Sequence, residues 1–344
     1  MSRRSLTLLL ASLFAVVLTG AAVATPVPYV ALGPGPTYDT LGEIDGTPVI
    51  VIEGTRVFPT DGQLDLTTVG VQPRLTLLEA LRGWFDRELA VVPRDVVYPP
   101  GKTNDEVNAE NEKSMVRSQS SATTAAARQL GFDTVRVEVG SVADGSPAAG
   151  RLQPGDVLLA VDGSPVTDEA RLRALVTAGG VGTTLLVRYE RKGVAATTSI
   201  TTAAAAEDAA RPIIGIAPIE AAVDLPFEVD ITLEEVGGPS AGLMFSLGIL
   251  DKLGAVSLTG GKHIAGTGEI TADGTVGPIG GIPQKLIAAR AEGAVAFLVP
   301  EANCAEAATR APAGLALLKV ATLVQALDGL EALRSGGSPA LCQA

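Results

Sequence analysis

Histidine is nearly absent from this chain: His263 is the single one in 344 residues. A serine nucleophile here has few bases to choose from, and a site built from several imidazoles is excluded. Cysteine is almost as scarce. Cys304 and Cys342, even with His263 added, cannot complete a four-ligand zinc site, so neither a metal nor a cofactor is expected. Basic charge is also in deficit, with a net charge of −12 and no basic cluster, which argues against contacts to a phosphate backbone and hence against nucleic acid. Aromatic residues make up only 3 % of the chain, so its cores must be built from small aliphatic side chains. No complete nucleotide-binding phosphate loop occurs. Gly101-Lys102-Thr103 copies the end of one, but Val96 stands where the first glycine is needed, and the fragment reads as a turn.

The N-terminus carries the longest apolar run. Arg3 and Arg4 precede an uninterrupted stretch from Leu6 to Ala24, near the lower length limit for a membrane-spanning helix and longer than most signal-peptide cores. The basic flank should stay on the cytoplasmic side, which places the body of the chain outside the cell. Ala22-Val23-Ala24 also fits a signal-peptidase site, and cleavage with release is the alternative. Export bears on the two cysteines, for which an oxidising compartment makes a disulfide the simplest use and two unpaired thiols the other.

Two segments carry chemistry. In Gly238-Pro239-Ser240-Ala241-Gly242, the following apolar run Leu243, Met244, Leu247, Ile249, Leu250 and Leu253 predicts a buried helix, with Pro239 at its first position and Gly254 just past its end. Ser240 then sits among backbone N–H groups that lack intrahelical partners, suitable surroundings for an oxyanion. Further on, Gly277-Pro278-Ile279-Gly280-Gly281-Ile282-Pro283-Gln284-Lys285, whose Lys285 lies 45 residues after Ser240, opens a second predicted helix that stops at Gly293. An ammonium at the positive end of a helix is disfavoured, and burial disfavours it further, so Lys285 is pushed toward its neutral, base-competent form. Two other readings of Ser240 exist. The nucleophile elbow of α/β-hydrolases requires an acid and then a late histidine, which His263 does not provide; a bare glycine-rich turn leaves Lys285 without a role.

Together with Ala265-Gly266-Thr267-Gly268-Glu269-Ile270-Thr271, these segments resemble the proteolytic domain of the Lon family, over roughly residues 213 to 333. The resemblance implies an α/β protease fold and a Ser-Lys dyad that cleaves peptide bonds without histidine. It also implies that Thr267 holds its hydroxyl near the lysine amine. Gly237 stands where many Lon proteases carry an acidic residue, with Glu234 and Glu235 close by.

Upstream, Val135, Val137 and Val139 alternate, Pro154-Gly155-Asp156 leads into a strand over Val157 to Val161, Asp162-Gly163 supplies a hairpin turn and Asp168 caps a helix over Glu169 to Val176. This segment resembles a bacterial PDZ domain, which implies capture of a peptide or chain terminus along a sheet edge. Leu130-Gly131-Phe132 is the only fragment like the family's carboxylate-holding loop, and a rigid spacer or gate is the alternative role. Residues 31–125 are less legible, with strands expected over Val49 to Glu53 and Leu64 to Val71, a helix over Thr76 to Leu89 and an exposed helix from Asn104. The Ala-rich segment from Ala203 to Ala210 reads as a linker.

The expected architecture is thus an α/β (α+β) multidomain chain: an anchor or signal segment (1–30), a membrane-proximal region (31–125), a PDZ-like domain (126–205) and a Lon-type protease domain (206–344). This order resembles the secreted PDZ-Lon proteases of Gram-positive bacteria, which implies an ATP-independent endopeptidase acting on protein or peptide substrates outside the cell. The catalytic residues so implied are Ser240, Lys285 and Thr267. The membrane is a partner through the N-terminal helix, and homo-oligomers occur among Lon domains. A PDZ adaptor with an inactive protease domain is the alternative.

Overall fold

The computed structural model of the chain describes residues 3–132, 134–233 and 236–343. The backbone divides into two compact units, one made of Met1–Leu130 with Phe227–Ala344 and the other of Gly131–Pro226. The stretch expected as a separate membrane-proximal region therefore belongs to the same unit as the protease segments, and the PDZ-like part is an insertion within it.

In the first half of the larger unit the principal elements are α1 (Arg3–Ala24), β1 (Tyr29–Asp39), β2 (Ile50–Glu53), β3 (Gln63–Gln72), α2 (Leu77–Phe85), β4 (Ala90–Pro93) and α3 (Asn104–Gln129). Both α2 and α3 begin with a capping box: Thr76 with Glu79, and Thr103 with Glu106, each pair satisfying two first-turn donors reciprocally. α1 forms over the apolar run and exposes Leu13, Phe14 and Val16. Its expected role as a membrane span is not recovered: among the described residues, no helix is long and apolar enough to cross a membrane.

The smaller unit contains β5 (Val135–Val142), β6 (Val157–Val161), α4 (Glu169–Gly179), β7 (Thr184–Arg191), β8 (Val194–Thr201) and β9 (Ile216–Ala222). Its sheet runs β8-β7-β6-β5-β9, with every one of these neighbours antiparallel. Asp168 caps α4 as expected, through the N–H of Arg171. Asp156 is buried and held by a two-pronged Arg191 ion pair at 2.7 Å, which keeps its carboxyl below the usual range despite burial. One expectation fails in this part of the chain. The Ala-rich linker is a hairpin in which Ala203–Ala205 pairs with Asp208–Ile213, and the chain then continues into β9. Leu130 and Gly131 terminate α3, with Gly131 supplying the positive φ, +86°, of a helix stop.

The larger unit resumes with β10 (Glu228–Ile231), α5 (Gly242–Leu253), β11 (His263–Gly266), α6 (Ile282–Ala291), β12 (Ala296–Pro300), β13 (Ala316–Val320) and α7 (Leu323–Ser335). Its main sheet has the order β13-β12-β11-β3-β1-β4, parallel from β13 to β3 and antiparallel from β3 to β4. Elements on either side of the insertion thus share one sheet. The core joins them again: Met115, Ala122, Ala125 and Ala126 of α3 pack with Leu243, Met244, Leu247 and Leu250 of α5. Alanine on the inner stripe of α3 permits a close approach, close enough for Ser246 Oγ to donate to the Ala122 carbonyl at 3.2 Å. Cys304 and Cys342 form a disulfide, fastening the tail whose Cys342 N–H bonds the Leu317 carbonyl of β13.

Candidate active site

Ser240 lies just ahead of α5. The helix begins at Gly242 with Ala241 as its cap, three residues later than the Pro239 start that the sequence pattern suggests. α3, which the sequence reading leaves without a role, holds this loop. The Gly238 N–H donates to the Asn111 carbonyl at 2.9 Å, and Ser118 Oγ donates to the Pro239 carbonyl at 3.0 Å. A Cβ at Gly237 would lie 2.8 Å from the Asn111 Cβ. The glycine that stands in place of an acidic residue is therefore what lets α3 approach. Glu234 and Glu235 lie outside the described residues.

Thr267 follows the end of β11 and is fully buried. Its hydroxyl donates to the Ser240 carbonyl at 3.0 Å, and the neighbouring Gly268 N–H donates to the same oxygen at 2.9 Å. These two bonds fix the backbone at the serine. Lys285 comes from α6, which starts after Gly281 in a left-handed conformation, φ +70°; a Cβ there would strike Val69 of β3 at 2.6 Å. Glycine at this point lets the helix start press against the sheet, which buries the lysine to 3 % exposure.

The structure brings all three sequence-predicted residues together. Lys285 Nζ stands 2.9 Å from Ser240 Oγ and 2.9 Å from Thr267 Oγ1. Burial alone lowers the lysine from 10.5 to about 7, so near neutrality a large share of the amine carries a lone pair. Because the Thr267 hydroxyl proton is committed to the Ser240 carbonyl, its oxygen can only accept from the lysine N–H. With one N–H held there, rotation about the Cε–Nζ bond can bring the neutral amine's lone pair to the Ser240 hydroxyl, the geometry a general base requires. Ser240 itself is half-buried and lines a cavity of about 470 Å³ with Tyr38, Val69, Glu269 and Ile279. Among the first N–H groups of α5, that of Leu243 is taken by the Gly268 carbonyl at 3.0 Å. The donors left for a developing oxyanion narrow to the immediate neighbourhood of Ala241 and Gly242.

His263 stands at the far end of β11, four residues from Thr267 or about 13 Å of strand. Its Nε2 contacts Asp65 Oδ2 at 2.7 Å, tying β11 to β3. Asp65 is nearly buried, and that desolvation, partly offset by the histidine, raises its pKa. No histidine reaches the cavity at Ser240. Sequence reasoning missed Ser118 and Asn111, whose only signal was a Ser-rich and Asn-rich stretch.

Comparison with known proteins defines the class first. The chain matches the PDZ domain family over residues 107–202 and the Lon protease (S16) C-terminal proteolytic domain over residues 234–327, so it carries a PDZ domain and a domain of a serine protease family. Among curated proteins, it is similar to the Lon protease of Roseiflexus castenholzii, at 42 % identity over 66 residues, and to Lon protease 2 of Bacillus subtilis, at 30 % over 115 residues. These matches cover 19 % and 33 % of this chain, and only 8 % and 20 % of the relatives' own lengths. Among solved structures, it is similar to the PDZ domain of the SdrC-like protein from Listeria monocytogenes, at 27 % identity, covering 26 % of this chain and 90 % of that one with a TM-score of 0.23.

Proposed function

We propose that this chain is an ATP-independent endopeptidase that hydrolyses exposed or unfolded protein segments outside the cytoplasm. The observation that carries the reading is the buried lysine amine, 2.9 Å from a half-buried serine hydroxyl and lowered to about 7. In this reading, neutral Lys285 takes the Ser240 Oγ proton as that oxygen forms its bond to the scissile carbonyl carbon. The carbonyl becomes an oxyanion stabilised by N–H groups at the start of α5. The protonated amine then gives its proton to the leaving nitrogen as the C–N bond breaks. Water, deprotonated by the same lysine, hydrolyses the ester. Thr267 orients the amine throughout.

The PDZ unit is assigned peptide capture. A groove of about 310 Å³ lies between Leu172 and Val176 of α4 and the segment Ile213–Ile216, and β9 beside it is paired only with β5 among the described residues. An extended peptide or chain terminus fits such a groove. Attachment to the membrane through α1 is part of the proposal. It is supported by α2, which exposes Leu77, Leu81, Trp84 and Phe85 and begins with an N–H bonded to the Thr25 carbonyl at the end of α1. A C-terminal tag accessible to protease in intact cells is expected, and a protected tag refutes the topology.

Casein hydrolysis and fluorophosphonate labelling of the full chain test the activity. Ser240→Ala and Lys285→Ala should each abolish turnover, and their combination should be no worse, because residues acting as a unit are non-additive. A wild-type chain that neither turns over nor labels would favour a PDZ adaptor instead.

A further inference from the structure

The cavity at Ser240 is not closed on the side of α3. Val69, Val236 and Gly237 line it and also line a second cavity of about 720 Å³, so the two form one continuous trough. The second part is walled by Val71 of β3, Tyr98 and, on α3, Val107, Met115 and Val116. Its described lining is mostly apolar, and Glu112 is the only charged side chain in it among the described residues. Val116 is 65 % and Val71 40 % exposed, an unusual exposure for valines lining one groove.

The backbone beside the trough is also incomplete. β11 ends at Gly266, opposite Leu66. From Thr67 onward, β3 has a strand partner, β1, on one side only among the described residues. The peptide groups facing the trough thus offer an open edge that runs from the catalytic serine toward α3. Such an edge accepts an extended polypeptide by adding a strand, and the side chains of that strand alternate between the sheet's two faces.

We propose that the α3 part of the trough is a substrate subsite that holds apolar side chains of an extended polypeptide several residues from the bond cleaved at Ser240. This inference rests on the endopeptidase reading for the identity of the occupant. Continuity with the catalytic cavity identifies that occupant as the substrate chain, and the apolar lining together with the Glu112 carboxylate selects apolar over acidic residues. α3 then has two roles: its backbone and Ser118 hold the nucleophile loop, and its outer valines recognise substrate. Side chains that select a substrate several residues from the scissile bond let remote binding energy contribute to orientation at the reacting centre.

The test uses the full chain carrying Ser240→Ala, so that binding is read without turnover. The probe is a fluorescent, unstructured peptide rich in leucine and valine, long enough to span both cavities, and its affinity is measured by anisotropy. Adding Val116→Glu or Val71→Glu should weaken binding about tenfold or more, and replacing the peptide's apolar residues with aspartate should cost a similar factor in the parent but little in the variants. In chains with Ser240 intact, the same substitutions should leave hydrolysis of a peptide too short to reach α3 within about twofold. Unchanged affinity in both variants overturns the proposal, as does loss of short-peptide hydrolysis in parallel with binding. An oligomer that dissociates in Val116→Glu while peptide affinity holds would instead make the groove a contact between copies of this chain. Failure of the endopeptidase reading is seen separately, as turnover that survives Lys285→Ala.

Discussion

Replacing Lys285 with methionine should make the protein more stable near neutral pH, although it removes two hydrogen bonds. The folded chain lowers this amine from 10.5 to about 7 by burial. Between those values the unfolded chain binds a proton that the folded chain has released, so stability rises with pH across the window, by about 1.4 kcal/mol per unit and about 5 kcal/mol in all. Below pH 7 the folded protein carries the full cost of a buried ammonium. Methionine fills a similar volume without that charge, and the bonds lost to Ser240 and Thr267 are worth about 1 kcal/mol each. The variant should therefore gain roughly 3 kcal/mol at pH 6 and fall below the parent above about pH 9, where the cost of burying the charge no longer exceeds the lost bonds. Urea unfolding followed by circular dichroism from pH 6 to 10 measures this, and the difference between the two chains isolates the one group. Parallel stability curves, or a methionine variant less stable at pH 6, would refute the claim that a neutral lysine is buried there.

Other outcomes follow from single contacts. Thr267→Val removes the acceptor of the lysine N–H and the donor to the Ser240 carbonyl, so kcat should fall by about 100-fold with KM little changed. His263→Ala should keep most of the activity but lose about 3 kcal/mol of stability, because it leaves Asp65 buried without its partner; thermal melting and peptide hydrolysis read the two effects separately. Converting Cys304 and Cys342 to serine opens a closed loop of 38 residues and should cost about 3 to 4 kcal/mol in urea titration. Gly237→Ala places a methyl against Asn111 and should displace α3 from the nucleophile loop, lowering turnover by about tenfold or more without abolishing fluorophosphonate labelling.

The cluster of Ser240, Thr267 and Lys285 was legible because its residues lie in short turns. Gly254, Pro283 and Gly293 mark helix limits by backbone chemistry that acts over a few residues, whereas Pro239 falls three residues ahead of the observed start at Gly242, and a resemblance to a protease family supplied Thr267. The PDZ-like segment was legible for the same reason, in Pro154-Gly155-Asp156 and Asp162-Gly163. The role of residues 31–125 was not. β3 is the central strand beside the nucleophile, but its partner β11 lies about 200 residues further on, past the whole inserted unit, and no local periodicity reports such a pairing. α3 was hidden differently. Its inner stripe of Ala122, Ala125 and Ala126 and its buried Ser118 look like a weakly amphipathic, solvated helix, and only the close approach to α5 explains why small residues are needed there. The Ala-rich segment over 203–210 misled for the converse reason: composition suggested a linker, while backbone pairing with Asp208–Ile213 made a hairpin.

The central claim is that neutral Lys285 activates Ser240, and the rate of Ser240 acylation as a function of pH tests it most directly. A fluorophosphonate probe applied to the full chain should label Ser240 at a rate that rises with pH through a midpoint near 7, where burial has placed the lysine. The same rise should be absent from Lys285→Met, whose labelling should be slower by several orders of magnitude at every pH, and present in His263→Ala. A rise that persists unchanged in Lys285→Met, or vanishes in a folded His263→Ala chain, would contradict the account.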